Sequence, residues 1–241
     1  MTRLFVPLTL VPETLLQLPP AVAHRVRDVL RARSGETLTI FDGTGGEFPA
    51  VIRTCSRERV EIEIAARAAK ERESPLTLTL AQGLARGERM DYTLQKAVEL
   101  GVTRIVPLAT ARSQVKLAED RAARRRAHWQ GIVVHACEQC GRNQIPEVTD
   151  ICTLTEFIQT DDALIRLTLA LSAARDLHTF AGQQSFSLVI GPEGGLDSAE
   201  LVQLAEAGYV AVRLGPRILR TETAALVALT ALQVLAGDLG D

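Results

Sequence analysis

The amino-acid sequence predicts an α/β protein in two parts, a small β-barrel carrying one helix (residues 1–70) and a larger α/β domain (residues 75–241). Three observations predict it. Between residues 36 and 64, apolar and polar side chains alternate as they do in half-buried strands. The charged run Arg67-Ala-Ala-Lys-Glu-Arg-Glu-Ser-Pro75 then breaks the composition and reads as a linker. Beyond it, strand and helix patterns alternate, which requires a mostly parallel sheet covered by helices on both faces.

In chain order, Pro19-Pro20 opens a helix with Val22, Val26, Val29 and Leu30 as its apolar face and Gly35 as its end. Strands follow at Glu36–Asp42, Glu47–Thr54 and Arg59–Ile64, the first two joined as a hairpin by Asp42-Gly-Thr-Gly-Gly46. After the linker come a strand at Leu76–Gln82 and a helix at Glu88–Leu100, with Met90, Leu94, Ala97 and Val98 turned inward. A strand at Arg104–Leu108 and a long helix at Glu119–Cys140 continue the alternation. Strands at Ala163–Ala170 and Ser185–Ile190, a helix at Ser198–Ala207, a strand at Tyr209–Leu214 and a helix at Glu222–Ala236 complete it.

Composition narrows the function. With 46% apolar and 23% charged residues the chain is globular, and a net charge of −2 excludes a uniformly basic nucleic-acid binder. The charge is uneven: residues 1–72 hold eleven Lys/Arg against nine Asp/Glu, the remainder sixteen against twenty. Arginine outnumbers lysine twenty-four to three, and arginine suits bidentate phosphate contacts. Nine aromatics are too few for a sheet that stacks successive RNA bases. Pro7 and Pro12 interrupt the first apolar run and no signal-peptide cleavage pattern follows; Ala224–Ala236 is too short to span a bilayer. Four cysteines fit a reducing compartment, so a cytoplasmic location without membrane is expected.

Two loops follow strands, open on Gly-Pro and run into helices: Ile190-Gly-Pro-Glu-Gly-Gly-Leu196 and Leu214-Gly-Pro-Arg-Ile-Leu-Arg-Thr-Glu-Thr223. Glycines there admit a ligand close to the backbone, and helix N-termini offer unpaired N–H donors. The plainer alternative is a pair of βα turns capped by Asp197 and Thr221. The first loop has no Lys before a Ser/Thr, and no G-x-G-x-x-G follows an early strand, which disfavours ATP hydrolysis and an ordinary dinucleotide fold. His135, Cys137 and Cys140 lack a second ligand pair, only Cys152 following, so no metal is expected. Two basic clusters remain: His24, Arg25, Arg27, Arg31 and Arg33 on the first helix, and Arg121, Arg124, Arg125 and Arg126 opening the long one. A charged helix face is usually only solvated, yet the first cluster sits on a small barrel, a shape that often displays a nucleic-acid surface.

Taken together, the chain resembles the RsmE-type 16S ribosomal RNA uracil-N3 methyltransferases of the SPOUT superfamily. The resemblance rests on His24-Arg-Val-Arg-Asp-Val-Leu-Arg31 followed by Phe41-Asp42-Gly43, on Lys96-Ala-Val-Glu-Leu-Gly-Val102 and on Glu138-Gln-Cys-Gly-Arg142. It closes with Gly191-Pro-Glu-Gly-Gly195 and Leu214-Gly-Pro-Arg-Ile-Leu-Arg-Thr-Glu-Thr-Ala224. Departures, at Val134 and Cys137, are small. The resemblance implies a PUA-like RNA-binding barrel, a SPOUT domain with a deep trefoil knot, and a homodimer acting on 16S rRNA of the small ribosomal subunit. It implies S-adenosyl-L-methionine held by Leu171, Gly191, Pro192, Glu193, Gly194, Gly195, Leu214, Gly215, Leu219, Thr221, Glu222, Thr223 and Ala224. His24, Arg25, Arg27 and Arg31 would meet RNA phosphates.

Methyl transfer from a sulfonium to uracil N3 needs in-line placement and loss of the N3 proton, and needs neither metal nor enzyme nucleophile. Arg142 or Arg220 would stabilise the uracil anion, while Glu138, Glu222 or water would take the proton. A side chain at Gly194 is expected to obstruct the cofactor. The last and long helices are expected to form the dimer interface, with Ala225, Leu226, Leu229 and Leu232 serving sheet and partner together. Two other readings compete: an idle RNA-binding module that keeps the fold, and an α/β enzyme acting on a small phosphorylated metabolite. The first is disfavoured by intact GPEGG and LRTET segments, the second because it leaves the arginine face without a role.

Overall fold

The computed structural model describes residues 2–113, 119–170 and 172–240. The chain divides into two compact units, one of residues up to 73 together with 137–145, the other of 74–136 together with 146 onward.

In the first unit, β1 (Thr2–Phe5), β2 (Leu15–Gln17), β3 (Thr37–Phe41), β4 (Phe48–Cys55) and β5 (Val60–Ile64) form one sheet in the order β1-β3-β4-β5-β2. Strand β1 runs parallel to β3, and the remaining pairs are antiparallel. The alternation that marks β3 to β5 puts Leu38, Ile40, Ile52, Ile62 and Ile64 into a fully buried core with Leu4 and Val26. Strands β1 and β2 escape the sequence pattern because three or four residues are too few to establish a period.

Helix α1 (Pro20–His24) has Pro20 at its first position, and its turns continue over Arg25–Val29 in π-helical form. The N–H of Leu30 bonds to the Arg25 carbonyl at 2.9 Å. Wider turns shift the phase of the apolar stripe, so Val22 and Val26 are buried whereas Val29 and Leu30, expected inward, are exposed. The run ends at Arg31 (φ 54°) rather than at Gly35, which instead turns the chain into β3. Residues 67–74 are likewise no free linker. Ala68 exchanges both backbone bonds with Glu47, and the Arg67 guanidinium donates to the Gly45 carbonyl at 2.6 Å.

The second unit holds β6 (Thr77–Gly83), α2 (Glu88–Glu99), β7 (Arg104–Ala109), α3 (Glu119–Cys140), β8 (Glu147–Val148), β9 (Cys152–Thr153) and α4 (Leu154–Thr160). It continues with β10 (Ile165–Leu169), β11 (Ser185–Ile190), α5 (Ser198–Glu206), β12 (Val210–Val212) and α6 (Thr221–Ala236). The last turn of α3 belongs to the first unit. The strands form a parallel sheet ordered β12-β10-β11-β6-β7-β8, with β9 also pairing β7. Leu78, Leu80, Ala81 and Gln82 of β6 and Phe186 to Ile190 of β11 are buried without alternation, as strands covered on both faces must be. Met90, Leu94, Ala97 and Val98 form the buried stripe of α2 as expected. No helix among the described residues is long and apolar enough to cross a membrane.

Candidate functional site

The carboxyl ends of β10, β11 and β12 surround a cavity of about 770 Å³, a volume suited to a nucleoside-sized ligand. Its lining comes entirely from the second unit. The loop after β11 contributes Gly191 to Leu196, and the segment leading into α6 contributes Leu214 and Arg217 to Glu222, with Ala224 one turn on. The two Gly-Pro loops, with α5 and β12 between them in sequence, thus enclose one space.

Close backbone packing sets the first loop. A Cβ on Gly83, at the end of β6, would lie 2.5 Å from Pro192 N, and one on Gly191 would lie 2.7 Å from Leu196 N. Gly195 has φ +68°, and its N–H bonds to the Pro192 carbonyl at 2.8 Å, closing a tight turn. Asp197 caps α5 as expected: its side chain accepts from Glu200 N at 2.8 Å, and Glu200 accepts from Asp197 N at 2.9 Å.

Thr221 departs from expectation. It is the first helical residue of α6, not its cap, and Arg220 precedes the helix without a side-chain capping bond. The Thr221 hydroxyl instead donates to the Gly191 carbonyl at 2.6 Å and accepts from Gln82 Nε2 at 2.9 Å. One buried hydroxyl therefore joins both loops to β6. Gly194 has a neighbour the sequence does not announce. Its Cβ direction meets the Arg112 side chain at 3.2 Å, and Arg112 donates to the Gly194 carbonyl at 2.8 Å, so a substituent presses first on that arginine.

Glu193 Oε1 accepts from the N–H of Arg86 and from Arg89 Nη1, both at 3.0 Å. Burial pushes its carboxyl up, but the Arg86 N–H, its own N–H and the Arg89 guanidinium outweigh that and hold it below the ordinary glutamate value. Arg89 Nε also stands 3.9 Å from Glu222 Oε1. The second oxygen, Glu222 Oε2, is buried with no hydrogen-bond partner among the described residues.

Ten of the thirteen residues expected to hold a cofactor line this cavity. Gly215 lies on a neighbouring apolar groove along α6, Thr223 in the first turn of α6, and Leu171 outside the described residues. Arg89, Leu169, Ala170 and Leu201 also line it and carry no local motif. Arg89 sits on the polar side of an amphipathic helix, where any surface arginine reads alike.

Of the residues expected to be catalytic, Arg220 lines the cavity. Arg142 and Glu138 belong to the first unit, and each has partners of its own there. Arg142 is buried and ion-paired with Glu73 at 2.6 Å. Both Glu138 oxygens accept from Arg25 at 2.8 Å, and Oε1 also accepts from the Phe5 N–H at 3.0 Å. The pairing follows from burial, since a charge removed from water requires a hydrogen-bonded partner. The expected RNA-binding residues are split by the same logic. Arg25 is engaged by Glu138; Arg27 is paired with Asp28 and donates to the Arg57 carbonyl. His24 stands 3.5 Å from Asp28, and Arg31 is exposed.

Among the described residues no group of three or more His, Cys, Asp and Glu could hold a metal. Cys137 is buried, and burial pushes its thiol up to about 12.

A parallel sheet with a cavity at its carboxyl ends defines a ligand-binding α/β protein. Residues 72–233 match the model of the RNA methyltransferase domain family. The chain is 33% identical over 243 residues to the ribosomal RNA small subunit methyltransferase E of Buchnera aphidicola, an alignment covering 98% of this chain and 97% of that one. The Bacillus subtilis protein of the same name is 32% identical over 229 residues, covering 89% and 90%. Among solved structures, a Legionella pneumophila methyltransferase in complex with S-adenosylmethionine superimposes with TM-score 0.95 at 40% identity. The Neisseria gonorrhoeae ribosomal RNA small subunit methyltransferase E, bound to S-adenosylmethionine, does so with TM-score 0.93 at 41% identity, and both alignments cover 99% of each chain. The chain belongs to the ribosomal RNA small subunit methyltransferase E family.

Proposed function

We propose that this protein transfers a methyl group from S-adenosyl-L-methionine to N3 of a specific uridine in 16S rRNA of the small ribosomal subunit, acting as a homodimer. As a member of its family it is an S-adenosylmethionine-dependent rRNA methyltransferase. The observation that carries the reading is the single cavity of about 770 Å³ enclosed by both Gly-Pro loops. Glycines there bring backbone close to a ligand, and the first turn of α6 leaves its N–H groups without a side-chain cap.

S-adenosylmethionine supplies the electrophilic methyl group; the chain's own residues bind, orient and stabilise. Gly191 to Gly195, Leu214, Leu219, Thr221, Thr223 and Ala224 hold the donor. Arg220 stands at the same cavity, where its charge would favour the N3 anion over neutral uracil, a difference that raises turnover. Of the expected phosphate contacts Arg31 is the best placed, being exposed on the first unit.

In this reading the five-stranded sheet of the first unit is the PUA-like RNA-binding element, and the two cavity loops belong to a SPOUT trefoil knot. The tie from Thr221 to Gly191 supports that by joining the loops at their bases. The homodimer is supported by α6. Ala225, Leu229 and Leu232 are consumed by the unit's own core, yet Val227 and Val234 remain exposed along a groove that also holds Leu226 and Leu235. Calorimetry tests the site: S-adenosylmethionine gives saturable heat and ATP gives none. The reverse result would return the chain to the phosphorylated-metabolite reading.

A further inference from the structure

We propose that Glu222 is the group that takes the proton from uracil N3, an inference that rests on the reading that N3 is the methyl acceptor. The sequence leaves Glu138, Glu222 and water as proton acceptors. The structure separates the two carboxylates. Glu138 holds three donors, two from Arg25 and one from the Phe5 N–H, so protonating it would break a bidentate pair. Among the described residues the cation nearest Glu222 in an ion pair is the distant Arg89 Nε, 3.9 Å from Oε1, and Oε2 is buried without a hydrogen bond. It lines the cavity.

A buried carboxylate oxygen without a donor is costly and persists at sites where a ligand provides one. Uracil N3–H is such a donor, and it is the proton the reaction must remove. The charged groups around Glu222 are Arg89 from α2, Glu193 from the loop after β11, and Arg217 and Arg220 from the segment before α6. Because Arg89 is bound at 3.0 Å to Glu193, it counters Glu222 only in part, on the Oε1 side. Oε2 is itself covered, so the carboxylate turns about its last side-chain bond to offer that oxygen to a ligand's N–H in the cavity Glu222 lines.

The step balances. The N3–H proton passes to Oε2 while its bonding pair stays on N3, and N3 forms the new bond to the methyl carbon. The carbon–sulfur bond breaks with its pair kept by sulfur, leaving a neutral thioether, and the proton on Glu222 then leaves to water. One sulfonium and one carboxylate become two neutral groups.

The test compares Glu222→Gln and Glu222→Asp with the natural protein in single-turnover methylation of small-subunit rRNA lacking the modification, from about pH 6 to about pH 9. Cofactor affinity is measured in parallel by calorimetry. Glu222→Gln is expected to bind S-adenosylmethionine within about threefold of normal and to lose about a hundredfold in rate near neutrality. Its rate should climb roughly tenfold per pH unit, because only uracil already ionised would react, and Glu222→Asp should recover part of the loss. A Gln variant with natural rate and pH profile would overturn the proposal. So would a variant that loses cofactor affinity but reacts normally at saturation, since Glu222 would then serve the cofactor's ammonium group. Methyl found on ribose or on C5 in the natural protein's product would instead remove the N3 reading beneath it.

Discussion

Replacing Thr221 by Val removes one oxygen at nearly constant shape, at the point where three chain segments meet. The hydroxyl donates to the Gly191 carbonyl at 2.6 Å and accepts from Gln82 Nε2 at 2.9 Å, in a residue only 7% exposed. Two net hydrogen bonds contribute about 1 kcal/mol each, and the part-buried Gly191 carbonyl left without its donor adds up to about 2 kcal/mol more. Gln82 gains no alternative: it is fully buried, its Oε1 already has no partner among the described residues, and Nε2 keeps only the Gly83 carbonyl at 3.1 Å. Thr221→Val should therefore lower the unfolding free energy by about 2–4 kcal/mol. Release of the Gly191 loop should also weaken S-adenosylmethionine by at least about tenfold, which is about 1.4 kcal/mol. Urea unfolding and calorimetry read the two effects, with Thr221→Ser, which keeps the hydroxyl, as the control. A Val variant within about 0.5 kcal/mol of the natural protein, with unchanged affinity, would refute the claim that this hydroxyl ties the loops.

Gly191→Ala should abolish cofactor binding because its Cβ would meet backbone at 2.7 Å, whereas Gly194→Ala should stay within about threefold, since the Arg112 stem at 3.2 Å can yield; calorimetry on both variants decides. The depressed Glu193 carboxyl contributes stability that is fully present above the ordinary glutamate value of about 4.3 and is lost as pH falls through its lower folded value. The Tm difference between the natural protein and Glu193→Gln should thus be present near neutrality and shrink below about pH 4; a constant difference would refute it. Arg31→Ala should flatten the salt dependence of rRNA binding by about one unit of log–log slope, while Arg25→Ala should instead destabilise the fold by about 1–3 kcal/mol through the orphaned Glu138. Filter binding at several salt concentrations, beside urea unfolding, separates the two arginines.

Most of the second unit was legible because its elements are long and strongly patterned. The α2 stripe follows directly from periodicity, and β11 spans Ser185–Ile190 as expected. Strands β8 and β9 were not legible, since two residues have no period and gain their pairing only from β7. Helix α4 follows β9 directly and was missed, although its capping box of Thr153 and Glu156 was a readable start signal. On the first helix a π turn displaced Val29 and Leu30, a backbone event that side-chain spacing cannot announce. The two site loops were visible from their Gly-Pro openings, but not the hydroxyl of Thr221 joining them, because capping and bridging threonines share one sequence signature. Arg25 and Glu138 are 113 positions apart, so what reads as a basic surface proves to be half of an ion pair.

The central claim is that the cavity serves methyl transfer to a uracil nitrogen of small-subunit rRNA. Its most direct test is mass spectrometry of nucleosides from unmodified 16S rRNA, alone or in the small subunit, after incubation with this protein and methyl-labelled S-adenosylmethionine. The account predicts label in N3-methyluridine at a single position. Label in a ribose-methylated or C5-methylated nucleoside, or none in either substrate, would contradict it.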